Sequence, residues 1–370
     1  MSGRGAAALV LIAAAAAACD HSKPFAAGEP DDRGPFAPGS AARVTFNVAD
    51  DRTVSWLPDG SGFIYSTERD DRADHDRCLA IQPPGGGTVM RYACHRVPGY
   101  DDTTDVWESP AVNRDGGVAY LRVTSRIGRQ KRDFAEIVLA PLDDPTDATT
   151  IVAIPYTATD GRLHTSAAEI RWLAPDRFVY LAQRLIFQGS TFFPDTFVTG
   201  LGIMEVDLSA GAARRLVPGT LWASSVSAGD DGDTIYYTIG GDSRVYSQSL
   251  ATGAVAVIHD FGDAGIARGA QVRGNRLVAI VGGSVLFQDE GVLEMVQRDE
   301  GGNIYVADLS SGSQTLLAAY SETLFHRPAI SPDGEGVVVE AAPWAPVHVG
   351  PSSEFNAPNH RHDIWHFDLP

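Results

Sequence analysis

The residues whose types could carry metal or thiol chemistry are ten histidines and three cysteines. The histidines draw together once, at His348, His360, His362 and His366. His348, His360 and His362 are the candidate metal ligands, since imidazoles beside carboxylates hold divalent cations. A closed site needs three or four donors of fixed geometry, and His360 and His362 flanking Arg361 do not supply them, so no metal site is expected. His366 falls where other repeats carry Val306, Glu205 and Ser247, which reads as a half-exposed strand position. Asp70, Asp74 and Asp76 could meet calcium, but their segment lacks the Gly and terminal Glu of a calcium loop and is interleaved with arginine. It reads as a solvated surface loop. No GxSxG nucleophile elbow occurs, and catalytic residues are not expected.

Cys19 closes the run Ala16-Ala17-Ala18-Cys19, directly after an uncharged, Ala-rich stretch from Gly5 to Ala18. That stretch has the character of a signal-peptide core and is too short for a stable membrane span, which needs about 20 residues. Small residues followed at once by cysteine resemble a bacterial lipobox. Residues 1–18 are therefore predicted to be a lipoprotein signal peptide, with Cys19 lipidated at the start of the mature chain. The alternative is an ordinary secretory signal with Cys19 incidental. Residues 19–41 carry Pro24, Pro30, Pro35 and Pro38 and no apolar periodicity, as a disordered linker does. The remaining thiols, Cys78 and Cys94, are expected to form a disulfide in an exported chain. If the PPGGG segment at 83–87 turns a hairpin, a register opposing 78 to 94 brings their Cα atoms to bridging distance.

The formal net charge of -18 argues against nucleic acid or an anionic lipid surface as a main partner. Lys23 and Lys131 are the only lysines among 29 Lys and Arg residues, a skew that reads as nucleotide-composition bias.

Residues 42–370 exceed the usual size of one compact core, and internal repeats explain how they fold. One unit joins a Pro/Asp/Gly turn to a β-rich run. It recurs at 55–67, 109–124, 171–182, 225–238, 271–281 and 328–341, with turns near Asp59, Asp115, Asp176, Asp231, Asn275 and Asp333. A second unit follows each time: RCLAIQP (77–83), EIVLAPL (136–142), GIMEVDL (202–208), RVYSQSL (244–250), NIYVADL (303–309) and DIWHFDL (363–369). Five of these lead through a tight turn to another short β run. Each repeat thus supplies a four-stranded meander. The last repeat stops after its third strand, and ARVTFNVAD (42–50) is available to complete it. Six such units in a closed ring predict an all-β, six-bladed β-propeller with the N-terminal strand closing the last blade.

The corner at Trp56-Leu57-Pro58-Asp59-Gly60, the SPDG of 331–334 and the IYVADL and IMEVDL strands resemble the repeats of TolB-like propellers. The resemblance covers about 42–370, and the corners at 114–116 and 175–177 match it only in part. It implies a six-bladed propeller of the kind found in envelope and periplasmic proteins and as the gating domain of prolyl oligopeptidases. This chain has a linker where TolB itself carries an α/β domain, so TolB's partners are not carried over. No hydrolase-sized segment follows the propeller in this sequence, so a prolyl oligopeptidase is not expected.

The expected function is that of a non-enzymatic envelope lipoprotein serving as a protein-interaction module. It would be monomeric, anchored to a membrane through Cys19, and facing the periplasm or exterior. The alternative is an enzyme or carbohydrate-binding propeller with its site at the channel mouth, which convergent acids and histidines on the innermost strands would favour. No cofactor is expected, and a channel-bound ion is left open. Second-to-third-strand connections are long, at 68–76, 124–133, 183–201, 283–302 and 342–362, whereas third-to-fourth turns are tight. One face should therefore be elaborate and suited to a partner. Phe187, Phe192, Phe193 and Phe197 are placed in the third blade's connection, where they either cap the core or, with Trp344, anchor that partner.

Overall fold

The computed structural model describes residues 41–45, 50–68, 77–85, 91–94, 103–126, 131–154, 163–188, 195–218, 221–282, 284–289, 294–299, 302–319, 323–343 and 362–370. These residues build six four-stranded antiparallel meanders. Blade 1 is β2 (Asp51–Trp56), β3 (Phe63–Glu68), β4 (Arg77–Gln82) and β5 (Arg91–Ala93). Blade 2 is β6 (Thr103–Val112), β7 (Gly117–Arg126), β8 (Lys131–Pro141) and β9 (Thr149–Ile154). Blade 3 is β10 (Leu163–Ala174), β11 (Arg177–Gln188), β12 (Asp195–Asp207) and β13 (Ala212–Val217). Blade 4 is β14 (Ala223–Ala228), β15 (Thr234–Ile239), β16 (Arg244–Ser249) and β17 (Val255–Asp260).

In blade 5, β18 (Ala267–Arg273) and β19 (Arg276–Val281) are followed by an inserted hairpin, β20 (Ser284–Asp289) and β21 (Glu294–Asp299). The blade then resumes with β22 (Asn303–Asp308) and β23 (Gln314–Ala318). Blade 6 is β24 (Thr323–Ile330), β25 (Gly336–Pro343) and β26 (Asp363–Asp368), completed by β1 (Ala41–Arg43). Ala41, Ala42 and Arg43 lie opposite Phe367, His366 and Trp365. The N-terminal strand therefore closes the last blade, and the chain is a six-bladed β-propeller.

The turns follow from side-chain chemistry. A carboxylate or amide two to four residues upstream caps the turn's N–H groups, replacing ladder bonds that a corner cannot make. Asp59 accepts from Ser61 N at 3.0 Å, Asp231 from Asp233 N and Thr234 N at 2.9 Å, and Asp333 from Glu335 N at 3.0 Å. In blade 2 the cap is Asn113, whose Oδ1 accepts from Asp115 N at 3.1 Å and Gly117 N at 2.7 Å. The leucines that end the second repeat unit have a stated job. Leu142, Leu208, Leu250, Leu309 and Leu369 each donate their backbone N–H to the first-to-second turn of the same blade. The acceptors are the carbonyls of Gly116, Asp176, Asp233, Asn275 and Glu335, at 2.7 to 2.9 Å. Blade 1 has Pro83 at that place, which has no N–H to give.

The core lies between blades. Six apolar clusters fill the six interfaces, from Leu57, Trp107 and Tyr120 between blades 1 and 2 round to Phe63, Tyr65, Val338 and Ile364 between blades 6 and 1. Each innermost strand packs on the next, and β24 packs on β2. Tryptophans on the inner strands lock neighbours: Trp56 Nε1 donates to Ala329 O at 2.8 Å and Trp172 Nε1 to Ala111 O at 2.9 Å.

All six inner strands bulge. The antiparallel register slips at Arg52/Ser55, Glu108/Ala111, Ala168/Arg171, Ala223/Ser225, Arg268/Gln271 and His326/Ala329. In five of them the first residue of the bulge has positive φ: Thr53 (56°), Ser109 (54°), Glu169 (52°), Gly269 (59°) and Arg327 (39°). Four of these are not glycine, and a residue held in the left-handed region costs roughly 1–3 kcal/mol unless its surroundings fix it. Bonds between blades fix several. Ser109 N donates to Thr53 Oγ1 at 3.0 Å, Thr53 N to Glu340 Oε1 at 2.5 Å and Val226 N to Glu169 Oε2 at 2.7 Å.

Candidate functional site

In a meander ring, second-to-third connections share a face with blade-to-blade connections, and that face is built up here in two ways. The first is an arch. β11 and β12 stay paired out to Gln188 opposite Asp195, and β20 and β21 out to Asp289 opposite Glu294. Val198 of β12 pairs with Gln297 of β21, so the hairpin inserted in blade 5 reaches blade 3 past blade 4. Blade 4, bridged in this way, turns from β15 to β16 through only Gly240, Gly241, Asp242 and Ser243.

Residues 183–188, 195–201, 284–289 and 294–299, expected within long connections, are strands instead. Phe187 and Phe197 lie on paired strands, opposite Thr196 and Ile186 respectively. The sequence hides these strands because their residues do not alternate in polarity, as those of a strand solvated on one face do. Phe192, Phe193 and Trp344 lie outside the described residues, as do Cys19, His348, His360 and Asp70, Asp74 and Asp76.

The second feature is a buried ionic cluster where β2, β4 and β26 begin. Asp50 Oδ2 meets Arg52 Nε and Arg77 Nη2, each at 2.6 Å. Arg77 Nη1 also meets Glu108 Oε1 at 3.0 Å. His362 binds Asp50 twice through Oδ1, by its backbone N and by Nδ1, both at 2.9 Å. Its ring stands edge-on to His326 with centroids 5.2 Å apart. Burial, with the cation of Arg52, pushes His362 down to about 4 against the pull of Asp50, so the ring is neutral at pH 7. Burial opposes ionisation of Asp50, but Arg52, the His362 hydrogen bond and Arg77 together hold it well below the usual carboxylate range.

Among the described residues, no three His, Cys, Asp or Glu side chains converge as a metal site would require. His366 is half-buried on β26, and burial lowers its pKa. Cys78 and Cys94 are bonded, with Cα atoms 4.7 Å apart. They continue the ladder in which Leu79 opposes Ala93, which is the predicted register. The ionic cluster itself was not foreseen, because Asp50 and His362 are 312 residues apart in the chain.

No protein-family model matches the chain, and no curated protein matches it. Solved structures align with it at low identity. A putative TolB from Agrobacterium tumefaciens shares 12% identity over 88% of this chain and 93% of its own, with a TM-score of 0.49. An oligogalacturonate lyase in complex with manganese shares 13% over 91% and 96%, with a TM-score of 0.47. TolB from Acinetobacter baumannii shares 14% over 87% of this chain and 63% of its own, with a TM-score of 0.42.

Proposed function

We propose that this chain is a lipid-anchored propeller of the bacterial cell envelope that works by binding a protein partner, without catalysis, on the face carrying the arch. One observation carries the reading: the two faces are unequal. The plain face consists of short capped turns at Asp59, Asn113, Asp231 and Asp333. The opposite face invests two extended hairpins joined across a blade. Long structured connections of that kind are retained for function more often than for stability. Phe187, Phe192, Phe193, Phe197 and Trp344 are the proposed anchors, since aromatic side chains dominate interface energetics. Cys19 carries the lipid and residues 20–40 the tether, since Ala41 already belongs to β1. An intact mass of the mature protein beginning at diacylated Cys19 is expected, and a free N-terminus at Asp20 or later removes the anchor.

A photo-crosslinking amino acid placed in turn on the arch and on the plain face tests the site in envelope preparations. Capture of the same protein from arch positions only, weakened by F192S/F193S at unchanged melting temperature, is the expected result. Equal capture from both faces, or unfolding of the double variant, removes it. A second reading is favoured by the Asp50, Arg52, Arg77 and His362 cluster: a small-molecule or carbohydrate site at the channel mouth. Saturable stabilisation by a neutral oligosaccharide, abolished by R52Q, would select it.

A further inference from the structure

The outer rim of blade 4 is unlike the other rims, and this does not depend on the partner-binding reading of the arch. β17 is the outermost strand of its sheet, paired on one side only, with β16. Three large apolar side chains are exposed among the described residues, and two of them stand on this strand: Val255 is 54% exposed and Val257 49%. The other long outer strands expose Thr149 and Thr150 (β9), Arg214 and Arg215 (β13) or Gln314 and Thr315 (β23), with alanine besides. β1 and β5 have only three residues each.

Val257 ends a row that starts in the core. Val226 and Tyr237 oppose one another and are buried between blades 3 and 4. Tyr237 opposes and stacks on Tyr246, with ring centroids 5.4 Å apart, and Tyr246 opposes Val257. The row stops in water, and so does the hydrogen-bond ladder. Ser249 N donates to Ala254 O at 3.0 Å, and alternation along an antiparallel pair then turns the N–H and C=O of Val255 and the N–H of Val257 away from β16. Sheet edges are ordinarily protected by charge, proline, a bulge or shortness. Here residues 245–259 contain no Asp, Glu, Lys, Arg or Pro, and the register shift of the pair falls past Val257.

Acids flank this neutral run. Asp260 and Asp263 lie at its end, and Asp231 and Asp233 lie in the turn to which the β16–β17 turn is fastened, Leu250 N donating to Asp233 O at 2.7 Å. Asp230 and Asp242 are matched by Arg273 and Arg244, whereas these four form no ion pair among the described residues. A second copy of the chain fits poorly, because antiparallel pairing of two β17 edges sets the Asp260 end of one against the Asp231 end of the other. A strand that is apolar in its middle and basic at its ends answers both the side-chain row and the charges.

We propose that β17 is a β-augmentation site for an extended, basic peptide segment of another protein, which adds a fifth strand to blade 4 and lays an apolar side chain beside Val257.

The probe is the fluorescent peptide Lys-Arg-Val-Thr-Val-Thr-Val-Arg-Lys, titrated with the mature chain and followed by anisotropy, with a control peptide in which glutamate replaces every Lys and Arg. Saturable binding is expected, at least tenfold tighter than for the control, with slower hydrogen exchange at the amides of Val255 and Val257. V255P removes an outward N–H and no ladder bond, so it should melt near wild type and lose affinity at least tenfold. Should V255P not fold, V255T/V257T takes its place and must lose affinity several-fold, because the edge remains but its apolar side chains do not. Absent saturation, equal binding of the control peptide, or a folded variant that binds as wild type does, overturns the proposal. So does a peptide-free dimer in light scattering that V255P abolishes, which would give the edge to a second copy.

Discussion

Arg43 and Asp363 form an ion pair at 2.8 Å across 320 residues of sequence, and both are largely buried. Arg43 lies on β1 and Asp363 begins β26, so the pair sits where the ring closes. Burial pushes Asp363 up to about 6, and Arg43 is what keeps it from going higher. Replacing Arg43 with Met should cost about 1–1.5 kcal/mol at pH 7, because Asp363, already near 6, takes up a proton rather than remain a stranded charge. The loss should shrink at pH 5, where Asp363 is protonated and needs no partner. Urea melts at the two pH values measure it, and an equal loss at both contradicts the assignment.

His362 should give the protein an acid-side slope. Its folded pKa of about 4 lies below the unfolded value of 6.5, so between those values the unfolded chain takes up a proton that the folded chain refuses. Its contribution is complete above pH 6.5 and lost as pH falls towards 4. Asp363 runs the other way, losing stability as pH rises from 3.8 to about 6. Comparing wild type with H362N across this range cancels the Asp363 effect. Wild type should fall relative to the variant as pH drops; parallel curves would show that His362 titrates normally.

Reducing the Cys78–Cys94 bond should destabilise by about 3 kcal/mol, the chain-entropy value for a loop of this length. C78S/C94S should shift the urea midpoint down by the same amount as reductant does. Alkylation of both thiols in native protein without reductant contradicts the bond.

Gly269→Ala should be among the costlier surface-to-core changes. Its φ is +59°, and a Cβ there would come within 2.7 Å of Pro328 Cδ in the next blade. Gly312, with φ +72° and open space around it, provides the control. The Gly312 variant should lose about 1 kcal/mol from backbone strain alone, and the Gly269 variant at least about twice that. Equal losses would mean that blades 5 and 6 give way easily.

Much of the architecture was legible because propeller corners are local chemistry. Asp59, Asp231 and Asp333 cap turns from two or three residues away, and a reader of sequence sees both partners at once. The recurring Leu at 208, 250, 309 and 369 was visible as a repeat, though its backbone bond to the opposite turn was not. The bulges were hidden because five residue types, Thr53, Ser109, Glu169, Gly269 and Arg327, do one backbone job, and only glycine advertises it. Asp50 with His362, and Arg43 with Asp363, come together only once the ring exists. Long-range pairs of charges carry no periodicity to read.

The closure of blade 6 by residues 41–43 also sets an order of events. That strand can find its ladder only after Asp363–Asp368 has been made and laid against Gly336–Pro343. Until then the N-terminal strand waits with its N–H and C=O groups unpaired, while five blades can already stack. Contacts of such sequence separation form late in folding, since the intervening chain must be gathered first. The clasp is therefore also a checkpoint: a chain interrupted before β26 is an open crescent, with a sheet edge at each horn for chaperones or proteases to grip.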